Sequence, residues 1–121
     1  SAYFIITKFN SFVEALAEKV HNLGSDQLKI ALTNTAPSAS NTVLANLTEI
    51  TYTNLSSRDV TTSASAQSSG TYKLTLADLT LTASGGTVGT FRYVVLYNDT
   101  ASNDELIGYY DYGSSITLQD G

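Results

Sequence analysis

Few side chains in this sequence have the types and spacing that chemistry requires. His21 is the single histidine and cysteine is absent. A nucleophilic serine needs a base beside it, and no nucleophile motif accompanies His21, which reads as a solvated or helix-capping histidine. One histidine without cysteine also excludes the usual zinc sites. Asp99, Asp104, Glu105, Asp111 and Asp120 gather in the C-terminal third. Paired carboxylates can hydrolyse glycosides and clustered ones can bind calcium. No EF-hand loop is present, however, and Asp99 and Asp104 fall in a polar turn where aspartate bonds its own backbone. Gly85-Gly86-Thr87-Val88-Gly89 precedes a strand rather than a helix and lacks the lysine of a phosphate loop, so it reads as a turn. No catalytic, cofactor-binding or metal-ligating residue is assigned. The expectation is a protein that is not an enzyme and needs no cofactor.

Tyrosines are the more suggestive group. Tyr93, Tyr97, Tyr109, Tyr110 and Tyr112 lie close together in the chain. Aromatic rings stack on sugars, anchor protein interfaces or fill a core with the hydroxyl at its rim. On a strand Tyr109 and Tyr110 point to opposite faces, so the group cannot line one pocket. Asn-x-Ser/Thr triplets begin at Asn46, Asn54 and Asn98, and without a secretory signal they read as coincidental.

These residues must be positioned by a small fold. The 121 residues suit one domain, and 42% hydrophobic residues suffice for a core. Charged residues make up only 14%, with a net charge of −5. Low charge with ample apolar content is the reverse of a disordered composition. Lys8, Lys19, Lys29, Arg58, Lys73 and Arg92 are scattered singly, which argues against nucleic-acid binding through phosphates. The apolar start, Ser1-Ala2-Tyr3-Phe4-Ile5-Ile6, is too short for a membrane span and lacks the basic start of a signal peptide. Ser1-Ala2 is what remains after removal of an initiator methionine, so synthesis in a cytoplasm is expected.

One segment reads as helix. Ser11-Phe12-Val13-Glu14 has the form of a capping box. Phe9, Phe12, Val13, Leu16, Val20 and Leu23 recur at helical spacing, and Gly24 suits the residue after the helix. An amphipathic helix from about Phe12 to Leu23, within a helical region 9–24, is expected to lie on a sheet. Residues 1–8 form an N-terminal arm or edge strand, and 28–121 an antiparallel β domain. Leu28 to Thr33, Thr71 to Leu76 and Leu79 to Thr82 alternate as strands do. Val43, Leu44 and Leu47 fit one helical turn, with Ile50 and Tyr52 starting a strand. Thr61 to Gly70 has no large apolar residue and reads as a mobile loop or a polar edge strand. Phe91 to Tyr97 is apolar at nearly every position and should be central, covered on both faces. Leu106 to Tyr112 returns antiparallel, and Gly113-Ser114-Ser115 turns into Ile116-Thr117-Leu118. The fold class is mainly β: an antiparallel β-sandwich or open barrel with one N-terminal helix packed on it. Asp120-Gly121 ordinarily opens a turn between strands. Final strands are therefore expected either further along the chain or from another molecule.

Several runs together resemble a family of small structural proteins of tailed bacteriophages. They are Lys8-Phe9-Asn10-Ser11-Phe12-Val13-Glu14-Ala15-Leu16-Ala17, Val20-His21-Asn22-Leu23 and Leu32-Thr33-Asn34-Thr35-Ala36-Pro37. Further along stand Thr82-Ala83-Ser84-Gly85-Gly86, Phe91-Arg92-Tyr93-Val94-Val95-Leu96-Tyr97-Asn98-Asp99-Thr100 and Leu106-Ile107-Gly108-Tyr109-Tyr110-Asp111-Tyr112-Gly113-Ser114-Ser115. The resemblance is weakest between Tyr52 and Ser69. It implies a virion protein on the capsid surface, a head decoration (cement) protein. Such a protein is a homo-oligomer that meets the major capsid protein or other virion proteins, without nucleic acid or membrane. The family carries no catalytic motif. Phe4, Ile5 and Ile6 then form a docking arm or a buried first strand. Thr61, Ser63 and Ser65 form a second contact segment or a plain loop, and Tyr109 and Tyr110 complete the candidate interface. A tail or baseplate component shares this composition. A carbohydrate- or receptor-binding module using exposed tyrosines is the reading from another class.

Overall fold

The structure is a computed structural model and describes residues 6–121; Phe4 and Ile5, expected in the docking arm, lie outside the described residues. Seven strands and one short helix follow in the order β1 (Thr7–Lys8), α1 (Phe12–Ala17), β2 (Leu28–Thr33), β3 (Asp59–Val60), β4 (Thr62–Ser68), β5 (Thr71–Leu76), β6 (Val88–Asn98) and β7 (Leu106–Leu118). A five-stranded antiparallel sheet has the order β1-β7-β6-β2-β3, and β4-β5 is a separate hairpin. The fold is mainly β, as the composition and alternation require, and its sheets stay open.

β6 is central, between β2 and β7, as its apolar run predicts. Alternation along β2 and β6 sorts their side chains onto two faces. On one face Phe9, Ala31, Val95, Tyr97 and Leu106 are buried, with Leu44, Leu47 and Tyr109 packed against them. On the other, Leu28 and Ile107 meet Leu23 and Val60, with Phe12, Ile30, Leu74, Leu76, Leu79 and Leu96 around them. The β4-β5 hairpin thus covers the second face. The 3-10 turn Leu44–Asn46 helps cover the first, where one helical turn was expected.

The sheet edge along β2 is closed by unlike parts. Leu28 and Lys29 pair with Val60 and Asp59. Beyond them the Ile30 amide donates to the Arg58 carbonyl, and the Leu32 amide to the Tyr52 hydroxyl at 2.9 Å. The Ile50 amide donates to the Leu32 carbonyl. Arg58 returns its guanidinium to the Ile30 carbonyl and stacks 3.7 Å above the centre of the Tyr52 ring. Tyr52 therefore serves as a hydrogen-bonding stop on β2, although no strand runs through Ile50 and Tyr52 as expected. Burial and the hydrogen bond to Glu49 raise its phenol above the usual range.

Four expectations need correction. The helix spans only Phe12–Ala17, with no side-chain bond from Ser11, so the capping box is not formed. Its end is a Schellman motif: the Lys19 amide donates to the Leu16 carbonyl and the Val20 amide to that of Ala15, with Lys19 at φ 69°. Lys19 thus takes the left-handed position expected of Gly24. Second, of the two readings of Thr61 to Gly70 the mobile loop falls and the polar edge strand holds, as β4, because β5 supplies an antiparallel partner. Third, Leu79 to Thr82 is not a strand; only Ala83 makes bridges, to Leu55 and Asp120. Fourth, Gly113-Ser114-Ser115 does not reverse the chain. Tyr93 pairs with Asp111 and Phe91 with Ile116, so the residues between Asp111 and Ile116 bulge out of one continuous strand. The Gly113 amide donates to Asp111, and Gly113 sits at φ +96°.

A lysine in the left-handed region costs about 1 kcal/mol relative to glycine, partly offset by the greater entropy of glycine in the unfolded chain. Lys19→Gly should therefore raise stability by a few tenths to about 1 kcal/mol in urea unfolding, whereas Gly24→Ala should be near neutral.

Candidate functional site

The early helix stop redirects the chain toward the core. With α1 ended at Ala17, the backbone turns and drops His21 and Leu23 into the interior, His21 at 4% exposure. A solvated or capping histidine was expected; burial against β6 corrects that. The Asn22–Asp26 loop holds itself, since Asp26 accepts from the Asn22 amide and donates its own amide to the Asn22 carbonyl.

Asn98, the buried last residue of β6, joins this loop to the sheet. Its Oδ1 accepts from the amides of Thr100 and Ala101 at 3.0 and 3.2 Å. That fixes the orientation of the amide, so Nδ2 is the group facing His21. Nδ2 donates to Asp26 Oδ2 at 2.7 Å and lies 3.0 Å from His21 Nδ1. An amide nitrogen only donates, so Nδ1 must accept and the proton of neutral His21 sits on Nε2. Nε2 is shut off from solvent and has no partner. The Phe12 ring lies beside the imidazole, centroids 5.5 Å apart. Burial lowers the His21 pKa, against the pull of Glu105 and then Asp26.

Beside His21 lies an open groove of about 320 Å³ between the α1–β2 segment and the hairpin, lined by Leu16, His21, Asn22, Leu23, Gly24, Ser65 and Tyr72. Ser65 and Tyr72 join hydroxyls along its hairpin wall at 2.7 Å. Leu16 and Tyr72 are 40% and 49% exposed. A second hollow of about 400 Å³, walled partly by the 99–105 loop, is lined by Val43, Leu44, Ala45, Glu49, Ser102, Asn103 and Asp104. There burial, then Asp99, Glu105 and Glu49, raise the Asp104 carboxyl.

The sequence-selected residues do not converge on one place. Ile6 is exposed at the end of β1, where Thr7 pairs with Tyr109. Thr61 and Ser63 are exposed at the start of the hairpin, and Ser65 alone enters the groove. Tyr109 packs on the first face with its ring 5.3 Å from Phe9, and Tyr110 lies on the opposite side of β7. Tyr72 was not singled out, Leu16 was read only as part of the helix stripe, and Asn98 only as the start of a coincidental triplet. The alternation of Thr71 to Leu76 held the signal for Tyr72, whereas nothing local marks Asn98 as buried. The five C-terminal acids do not form a metal site: among the described residues no three His, Asp or Glu side chains come together as one. Asp111 is instead engaged by Arg92 through a two-pronged pair, 2.8 and 3.1 Å, which with the Gly113 amide holds its carboxyl below the usual range. No helix among the described residues is long and apolar enough to cross a membrane.

No protein-family model, curated protein or solved structure matches this chain.

Two outcomes test the buried cluster. Asn98→Ala strips the partner from buried His21 Nδ1 and one from half-buried Asp26, and should cost about 2–3 kcal/mol in urea unfolding. Because folding lowers the His21 pKa, the unfolded chain binds the proton more readily. The stability tied to His21 is therefore complete above the ordinary pKa of 6.5 and is lost as the pH falls to the lower folded-state value. Unfolding midpoints across that interval should fall more steeply for the native chain than for His21→Phe.

Proposed function

We propose that the protein is a non-enzymatic structural subunit of a bacteriophage particle, a capsid decoration protein that strengthens the head as a homo-oligomer bound to the major capsid protein. The carrying observation is the β4-β5 hairpin, exposed from Ser63 through Lys73 with Lys73 its lone charge. Ala64, Ala66 and Ser68 stand opposite Thr75, Lys73 and Thr71 on one side of it. Small residues and hydroxyls allow close approach of another backbone at little desolvation cost. Such contacts are weak singly, and repetition over a symmetric shell multiplies them. Exposed Ile6, Val13 and Tyr112 add apolar area. Resemblance to tailed-phage structural proteins along most of the chain supplies the particle context.

An electron-microscopy map of the particle that contains this chain tests the reading. Density at capsid symmetry axes, with the hairpin against the shell, is expected. Density confined to the tail or baseplate overturns the capsid assignment, and absence from purified particles overturns the virion reading. Ala64→Glu with Ala66→Glu should reduce incorporation about tenfold, while the free chain changes stability by no more than about 0.5 kcal/mol.

A further inference from the structure

We propose that the groove between the Leu16–Gly24 segment and the β4-β5 hairpin is a binding site for an uncharged saccharide, with one sugar ring packed on Tyr72 and one sugar oxygen accepting the His21 Nε2 proton. The site is separate from the exposed hairpin face that would meet the shell, and its failure would leave the assembly reading intact.

Three observations converge on this groove. The first is the unused donor. Asn98 fixes the neutral tautomer of His21, leaving Nε2–H buried without an acceptor. A buried donor without a partner costs on the order of 1–3 kcal/mol, so its retention calls for an explanation. The imidazole turns its Nδ1 edge to Asn98, which is not a wall of the groove, so Nε2 points away from Asn98. His21 is itself one of the residues that line the groove.

The second observation is the character of the walls. Leu16, Asn22, Leu23, Gly24, Ser65 and Tyr72 carry no charge, and His21 is held neutral. A phosphate, a carboxylate or a basic side chain would find no counter-charge there. A neutral ligand with many hydroxyls would find the Nε2–H donor and the Ser65–Tyr72 hydroxyl pair, which can both give and accept. The third observation is the aromatic. Tyr72 is half exposed beside exposed Leu16. An amphipathic ring with a polar tip is suited to the apolar face of a sugar and its hydroxyl rim together. At about 320 Å³ the groove stands at the small end of ligand sites, appropriate to one or two sugar rings.

Titration of the full chain with methyl glucoside, galactose, N-acetylglucosamine and maltose, followed by NMR with the histidine ring labelled, tests this. Saturable shifts at His21 Nε2–H and at Ser65 and Tyr72 are expected with at least one of them. Substitutions of His21 also disturb the fold, so Tyr72→Ala and Ser65→Ala decide the matter. Tyr72→Ala should weaken binding about tenfold without changing the unfolding midpoint. The proposal is overturned if none of the sugars gives a saturable shift, if binding survives Tyr72→Ala unchanged, or if a protein partner fills the groove in the particle.

Discussion

The arrangement depends on one buried amide. Asn98 ends the central strand β6, and its backbone still belongs to the sheet, with its amide donating to the Glu105 carbonyl. Its side chain serves two loops at once: Oδ1 closes the turn through Thr100 and Ala101, while Nδ2 reaches His21 and Asp26. Aspartate could not take its place, because it would face the Asp26 carboxylate and lose both donated hydrogens. Histidine at position 21 is constrained in return, since a proton on Nδ1 would confront the Asn98 amide hydrogens. The two residues are 77 positions apart, so the contact fixes where the N-terminal segment meets the end of the sheet. Leu23 and Phe12 reach the second core face as a consequence.

The sheet edge along β2 is closed by a different device with the same logic. The segment between β2 and β3 has little regular structure, yet β2 must not leave its amides without acceptors. Tyr52, Ile50 and Arg58 supply single polar atoms where a longer β3 would have supplied a ladder. Each such bond is worth about 1 kcal/mol net, but each missing one would cost more. A two-residue strand therefore suffices at this edge.

Alternation and apolar runs made the longer strands legible: β2, β5, β6 and the first part of β7 follow from residue type alone. The faces of Tyr109 and Tyr110 were equally readable, because a strand allows no other arrangement. The helix length was not. Its apolar stripe continues through Val20 and Leu23, and the chain stops it with a left-handed Lys19, a position where sequence favours glycine. Once the helix is cut short, the same apolar residues reach the core from a loop, and His21 goes with them. Likewise Gly113-Ser114-Ser115 carries turn chemistry that is used as a bulge, because β6 still has residues to pair with Ile116 and Leu118. Of the groove, only Ser65 was picked out by sequence reasoning for contact, since Tyr72 and His21 meet through packing of the hairpin on the loop.

Sparse charge gives the surface its character. Three of the scattered cations are committed locally: Arg92 to Asp111, Lys29 to Asp59 at 3.7 Å, and Arg58 to the Ile30 carbonyl and the Tyr52 ring. Exposed ion pairs of this kind contribute little to stability and are weakened by salt. They do withdraw charge from the surface that partners meet, leaving hydroxyls, amides and small apolar groups. A hairpin built from Thr, Ser and Ala, and a groove with no ionised wall, are two results of that composition. The first favours broad, shallow contact with protein backbone, and the second favours a ligand that brings hydroxyls of its own. Charge remains crowded at Asp104, whose carboxyl is driven upward by burial first and then by Asp99, Glu105 and Glu49. On the proposed readings, recognition falls to the hairpin side of the molecule, where such charge is absent.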